Sequence, residues 1–294
     1  MNTYLRQHVI GPAPEVPISD AQFEAAKSAR VVLTAAFALE ESFDLLIGNY
    51  IEVEQELLTA AAANAARSTN TYEDFFELRS TVNRRVVNLL TAGRLYLDQA
   101  PQHLAKCAQD ATTARADFKK RTNDHYDASF AYRFLEALRN HVQHCGLAVH
   151  RLSINRAGET RELELSIQPF AEKRYLAEDA QFKRRVLVET PDQVVLTKVI
   201  REYLQCLGDV HNLVRSHVAV NVEAARSTIQ QHLSAYGAAN DGQTIGLAAF
   251  RGGLADQQET VSLFLGWDDV RMKLVARNST LTALGRHVVT GRAT

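Results

Sequence analysis

The chain has 294 residues, 46% of them hydrophobic and 23% charged, enough apolar material for one large domain or two modest ones with a sizeable core. Its formal net charge of −1 removes the whole-molecule positive field that duplex DNA or an anionic membrane would call for. The 3 cysteines, Cys107, Cys145 and Cys206, are far apart and in no metal-ligand spacing, which reads as free thiols of a reducing compartment. No apolar run approaches the ~20 residues of a membrane span, and Met1 to Pro17 holds no apolar stretch of signal-peptide type, so a cytoplasmic, non-membrane protein is expected.

Taken in chain order, the first predicted element is a long helix opened by Ser19-Asp20 and running to about Arg67. Val32, Ala35, Ala36, Leu39, Phe43, Leu46, Ile47, Tyr50 and Ile51 recur at three- and four-residue steps and face a core, with Glu40, Glu41 and Asp44 on the polar side. A second helix spans about Thr71 to Leu97, its apolar face marked by Phe75, Val82, Val86, Leu89, Leu90 and Gly93, with Arg79 as an off-pattern charge. Pro101 is expected to interrupt it and open a third helix to about Arg121. A fourth begins near Asn123-Asp124 and places Phe134, Leu138, Val142 and Cys145 in the core, with Gly146 as a C-cap at positive φ.

After Gly146 the period changes from 3.6 to 2. Leu147, Val149, Leu152 and Ile154, a turn over Asn155 to Glu159, and then Leu163, Leu165 and Ile167 predict a β-hairpin. Thr190-Pro191-Asp192 starts another long helix, continuing to Tyr236, and Gly237 to Gly242 reads as a linker-like turn. Val261, Leu263 and Leu265 alternate like a strand in an otherwise unassigned tail. The expected fold is mainly α: an up-and-down bundle of long helices with an inserted β-hairpin and a small C-terminal α/β piece. Residues 1–236 form the helical domain, with the hairpin at about 147–168, and 237–294 form an extension of unassigned fold.

The chemistry is concentrated at the end of the fourth helix, in Arg139-Asn140-His141-Val142-Gln143-His144. Asn140 and His144 are four residues apart and share a face, and the long stem of Arg139 allows its guanidinium to reach the same patch. Histidine is the side chain whose charge changes near neutral pH, and guanidinium grips phosphate through paired hydrogen bonds. Together they suit RNA cleavage without a metal: one group moves protons at the 2′-hydroxyl and the leaving oxygen, another stabilises charge on phosphorus. A second, looser match, Arg226/His232, has the spacing without the Asn or the helix end. Lys119-Lys120-Arg121, Lys173-Arg174 and Lys183-Arg184-Arg185 each read as solvated faces, and together as a path for a short single strand.

In Arg139-Asn140-x-x-x-His144 and its helical surroundings, the sequence resembles the HEPN superfamily over about residues 19 to 146 and the long helix after Thr190. The resemblance implies a homodimeric endoribonuclease of toxin or phage-defence type, restrained by an antitoxin or other regulatory protein and needing no metal or other cofactor. On it, Arg139 binds the scissile phosphate, Asn140 orients His144 or touches phosphate, and His144 is general acid or base. Gln143, His141, Lys183, Arg184 and Arg185 are the candidate RNA contacts. Where some relatives carry a tyrosine two residues after the motif histidine, this chain has Gly146. The alternative is a non-catalytic helical interaction module binding a protein partner or a nucleotide, in keeping with near-neutral charge and only 7% aromatic residues for base stacking.

Overall fold

The computed structural model describes residues 3–9, 11–67, 71–157, 164–252, 259–279 and 284. In chain order the elements are β1 (Thr3–Gln7), β2 (Val16–Pro17), α1 (Asp20–Ala66), α2 (Tyr72–Cys107), α3 (Ala111–Ala128), α4 (Phe130–His144), β3 (Arg151–Ala157) and β4 (Glu164–Glu172). They are followed by α5 (Lys173–Ala177), α6 (Arg184–Glu189), β5 (Gln193–Val195), α7 (Leu196–Ala239), β6 (Leu247–Arg251), β7 (Glu259–Ser262) and α8 (Gly266–Arg277). The protein is mainly α, as expected, and no helix among the described residues is long and apolar enough to cross a membrane.

Helix starts follow local chemistry. Ser19 and Gln22 cap α1 reciprocally, the Ser19 hydroxyl accepting from the Gln22 amide at 3.1 Å and Gln22 Oε1 from the Ser19 amide at 2.8 Å. Thr71 and Asp74 repeat the device for α2, and Asp110 Oδ1 accepts from Thr112 and Thr113 at the start of α3. Pro101 does not break the chain, because α2 continues through it to Cys107. Its missing N–H removes one bond of the ladder, while Ala100, Leu104 and Cys107 stay buried and hold the turn in place. The break expected at Asn123 is likewise absent. Helix α3 continues to Ala128, and Ser129, accepting from the Tyr132 amide at 3.1 Å, starts α4.

The chain forms two compact units, one of Met1–Glu41, Gln99–Phe118 and Asn212–Ser279, the other of Ser42–Asp98, Lys119–His211 and Thr280–Thr294. This division does not follow the boundary expected at 236/237. The reason lies in the first unit, where β6, drawn from the expected extension, pairs antiparallel with β1 in a four-stranded sheet of order β2-β1-β6-β7. Tyr4 lies opposite Phe250, their rings stacked at 5.6 Å, and Leu5 lies opposite Ala249, both fully buried. The Tyr236 hydroxyl donates to the Pro14 carbonyl at 3.1 Å and accepts from the Gln7 amide. Glu40, expected on the polar face of α1, is instead buried against Arg215, which grips both of its carboxylate oxygens at 2.9 and 2.6 Å. Asp268, fully buried, is paired with Arg226 and Arg271.

In the second unit, β3 and β4 form the expected hairpin, with Ile154 opposite Ile167, and β5 adds a third strand to β4. The expected turn lies mostly at 158–163, outside the described residues. The helix expected from Thr190 begins only at Leu196, since Gln193–Val195 is taken up as β5. The core contains Phe43, Val82, Val86, Leu89, Phe134, Leu138, Ile200, Tyr203 and Leu207. His211 stacks on Phe43 at 3.8 Å, with its Nδ1 3.0 Å from the Tyr96 hydroxyl. Arg201 holds Glu54 through two bonds of 2.8 and 2.9 Å.

Because Leu5 is fully buried, Leu5→Ala is expected to cost about 3 kcal/mol. Urea unfolding followed by far-UV circular dichroism checks this, and an unchanged midpoint would mean that β1 is not part of the core.

Candidate functional site

The site lies in the second unit, where α4 ends. Helix α4 buries Ala131, Phe134, Leu135, Leu138 and His141. The inward position at the last turn therefore belongs to His141, not to Val142 or Cys145, which were expected in the core. Val142 is half-buried and Cys145 is exposed. The reason is a polar anchor: His141 Nδ1 lies 2.9 Å from Asp179 Oδ2, in the turn between α5 and α6. A carboxylate is acceptor-only, so the ring proton resides on Nδ1 and the lone pair on Nε2.

Gly146 has a different purpose from the one its position suggested. It is not at positive φ. A Cβ built on it would stand 2.7 Å from His141 Nε2, so only glycine leaves space for this imidazole. The amides of Cys145 and Gly146 both close on the His141 carbonyl, at 2.8 and 3.1 Å.

Around His141 is a cavity of about 660 Å³ lined by Arg79, His150, Tyr175, Asp179 and Cys145 among others. Asn83 fixes one wall: its side-chain amide donates to the Val149 carbonyl at 3.0 Å and its oxygen accepts from the Val149 amide at 2.8 Å. Next along, Arg79 donates to the His150 carbonyl at 3.4 Å. His150 Nδ1 accepts from the Glu172 amide at 2.9 Å, which places its proton on Nε2. Burial, and then the neighbouring His141 ring, push the His150 imidazole down to about 4, so it is neutral near pH 7.

A second cavity of about 240 Å³ shares His141, Asp179 and Gln181 with the first and adds Asn140, His144, Phe182 and Lys183. A third, of about 330 Å³, shares Arg79 and Leu147 with the first and continues to Arg84 and Asn88. The three therefore share walls, with Arg84, Arg79 and Lys183 among their linings and the His141–Asp179 couple between the first and the second. The His141 hydrogen bond holds the Asp179 carboxyl below the usual carboxylate range. Cys145, hydrogen-bonded to the same carboxylate, has its thiol pushed up, which keeps it protonated and a poor nucleophile.

The expected residues separate accordingly. Asn140 and His144 share a face and line the smaller cavity, as their spacing predicted. Arg139 lines none of the three cavities; one guanidinium nitrogen donates to Asn140 Oδ1 at 3.1 Å, and its buried Nε has no partner. Among candidate RNA contacts, Lys183 lines the smaller cavity, its ammonium over the Tyr126 ring at 4.9 Å. Gln143 and Arg184 are exposed and Arg185 faces Glu189 at 3.8 Å. His141, expected as an RNA contact, is buried. The other basic clusters are compensated, with Lys120 on Asp124, Arg121 on Asp209 and Arg174 on Glu172. The looser match is closed off: Arg226 pairs with Asp268 and Asp269, and His232 is buried.

Asp179, His150, Arg79 and Tyr175 were not foreseen as site residues. For Arg79 there was a signal, a charge on the apolar face of a helix. For Asp179, one carboxylate in a polar turn, there was none. No family model matches the chain, and no curated protein and no solved structure does either.

Two expectations follow. Gly146→Ala should cost about 1–3 kcal/mol and displace the His141 ring from Asp179, seen as loss of the hydrogen-bonded Nδ1–H resonance. For His150, the folded state resists the proton that the unfolded chain accepts below the ordinary value of 6.5. Its folded value is depressed, so stability falls as pH drops from 6.5 toward about 4 and is flat above that window. His150→Gln should flatten this part of the pH–stability curve relative to wild type, and parallel curves would refute the assignment.

Proposed function

We propose that the protein is a ribonuclease of HEPN type that cleaves RNA through attack of a 2′-hydroxyl, with His141 and His144 as its working imidazoles. The observation that carries this reading is their joint placement: both line one cavity of about 240 Å³, three residues apart on α4, and Asp179 anchors one of them. A base held by a carboxylate beside a second, exposed imidazole is the arrangement that proton transfer in two directions calls for.

His141, with Nδ1–H committed to Asp179, offers its Nε2 lone pair and takes the 2′-hydroxyl proton. The 2′-oxygen attacks phosphorus, the bond to the 5′-oxygen breaks, and His144 delivers a proton to that leaving oxygen. A 2′,3′-cyclic phosphate and a 5′-hydroxyl result, and the two histidines end with their protonation states exchanged. Lys183 and Asn140 face the non-bridging oxygens, where negative charge grows. Arg139 acts through Asn140, whose amide oxygen it holds. Arg79, in the adjoining cavity, receives the phosphate of a neighbouring nucleotide. A row of adjoining cavities suits a single strand, and DNA, lacking the attacking hydroxyl, is bound without being cut.

His141→Ala and His144→Ala are each expected to slow cleavage of a mixed RNA at least about 100-fold, and Asp179→Asn to do so with a smaller factor. An oligonucleotide with one 2′-deoxy residue at the cut site should resist. Wild-type rates in both histidine variants, under matched folding by circular dichroism, would end this reading.

A further inference from the structure

At the junction of the two cavities, three side chains of different kinds converge. One ring nitrogen of His141, Sγ of Cys145 and one carboxylate oxygen of Asp179 all lie within 4.8 Å of one another. We propose that these three residues bind Zn²⁺, and that the ion switches off the cleavage proposed above, on which this regulatory half rests.

The donor set is the first argument. Imidazole nitrogen, thiolate and carboxylate are the zinc ligands, and their mixed softness favours Zn²⁺ over Mg²⁺ or Ca²⁺, which take oxygen alone. Position is the second. His141 and Cys145 are four residues apart at the end of α4, which sets both on one side of the chain, and Asp179 faces them from another segment. The third is support behind the ligands. Asp179 Oδ1 accepts from the Gln181 amide at 2.8 Å, which turns Oδ2 toward His141, and Gly146 keeps the imidazole from being pushed away. Zinc–nitrogen and zinc–oxygen bonds of about 2.0–2.2 Å need the 2.9 Å His141–Asp179 pair to open by roughly half an ångström. Cys145 is exposed and the larger cavity adjoins it, so there is space for a water as fourth ligand.

The proton balance gives the regulation. Zn²⁺ displaces the Cys145 thiol proton, which leaves to solvent. A neutral imidazole has one lone pair, so whichever ring nitrogen of His141 binds the metal, none is left to accept the 2′-hydroxyl proton. The same ion occupies the carboxylate that orients the ring. Metal-bound protein is therefore unable to perform the first proton transfer.

The probe is Co²⁺, then Zn²⁺ in competition, on full-length protein stripped with a chelator. One Co²⁺ per chain should bind with a thiolate-to-cobalt charge-transfer band, which Cys145→Ser abolishes and Zn²⁺ displaces. Asp179→Asn should weaken Zn²⁺ at least about tenfold. Absence of the band in wild type, or equal Zn²⁺ affinity in wild type, Cys145→Ser and Asp179→Asn, overturns the metal site. In the RNA assay, equimolar Zn²⁺ should stop wild type, while Cys145→Ser, whose hydroxyl keeps the bond to Asp179, continues to cut. Equal inhibition of the two overturns the regulation. If metal-free wild type cuts no RNA, the cleavage reading fails by itself, and the cobalt band still decides the metal site.

Discussion

The side-chain amide of Asn83 holds the Val149 backbone through both its N–H and its C=O, inside the core, with no water to compete. A chain that has just left a helix has unsatisfied groups and many directions open to it. This two-way bond selects one direction, down the side of α2. From there His150 falls beside Arg79, its own amide joins the Phe170 carbonyl, and β3 enters its sheet. The wall of the larger cavity is a by-product of that choice. Substituting a hydrophobic residue for Asn83 would fill the volume but leave two backbone groups buried and unpaired.

Within that wall, the chemistry of the site is one of competing demands on histidines. His141 is nearly covered yet keeps an acceptor nitrogen, because Asp179 engages the other one. His150 is half-covered and is neutral, because burial and then the His141 ring disfavour its cation, and a backbone amide occupies its Nδ1. His144 is exposed, at the end of the same helix. Three imidazoles within a few residues of sequence thus have three different environments, which is how one residue type comes to fill unlike roles.

Much of the fold was legible because its signals are local. Capping residues such as Ser19, apolar stripes along α1 and α7, and the alternation around Ile154 and Ile167 need only neighbours in sequence to act. What was not legible depends on distant partners. Glu40 reads as solvated until Arg215 is placed beside it, and Val142 reads as core until Asp179 draws His141 inward in its stead. Residues 237–265 look like an unattached extension because the strand that completes their sheet is at the other end of the chain. The motif Arg139-Asn140-x-x-x-His144 was visible as spacing. That Arg139 lies off the cavities while His141 lies at their junction follows from helix rotation, and one turn of helix is enough to exchange the two.

The pairing of β1 with β6 has a consequence for how the protein is made. β1 can meet β2 as soon as both exist, whereas β6, with Phe250 opposite Tyr4, follows only after the long helices α1, α2 and α7. Until β6 exists, Tyr4 and Leu5 have only the short β2 beside them, and the sheet of the first unit cannot be completed. Closing this sheet is therefore a non-local and slow step, and until it happens one side of β1 is an unpaired edge.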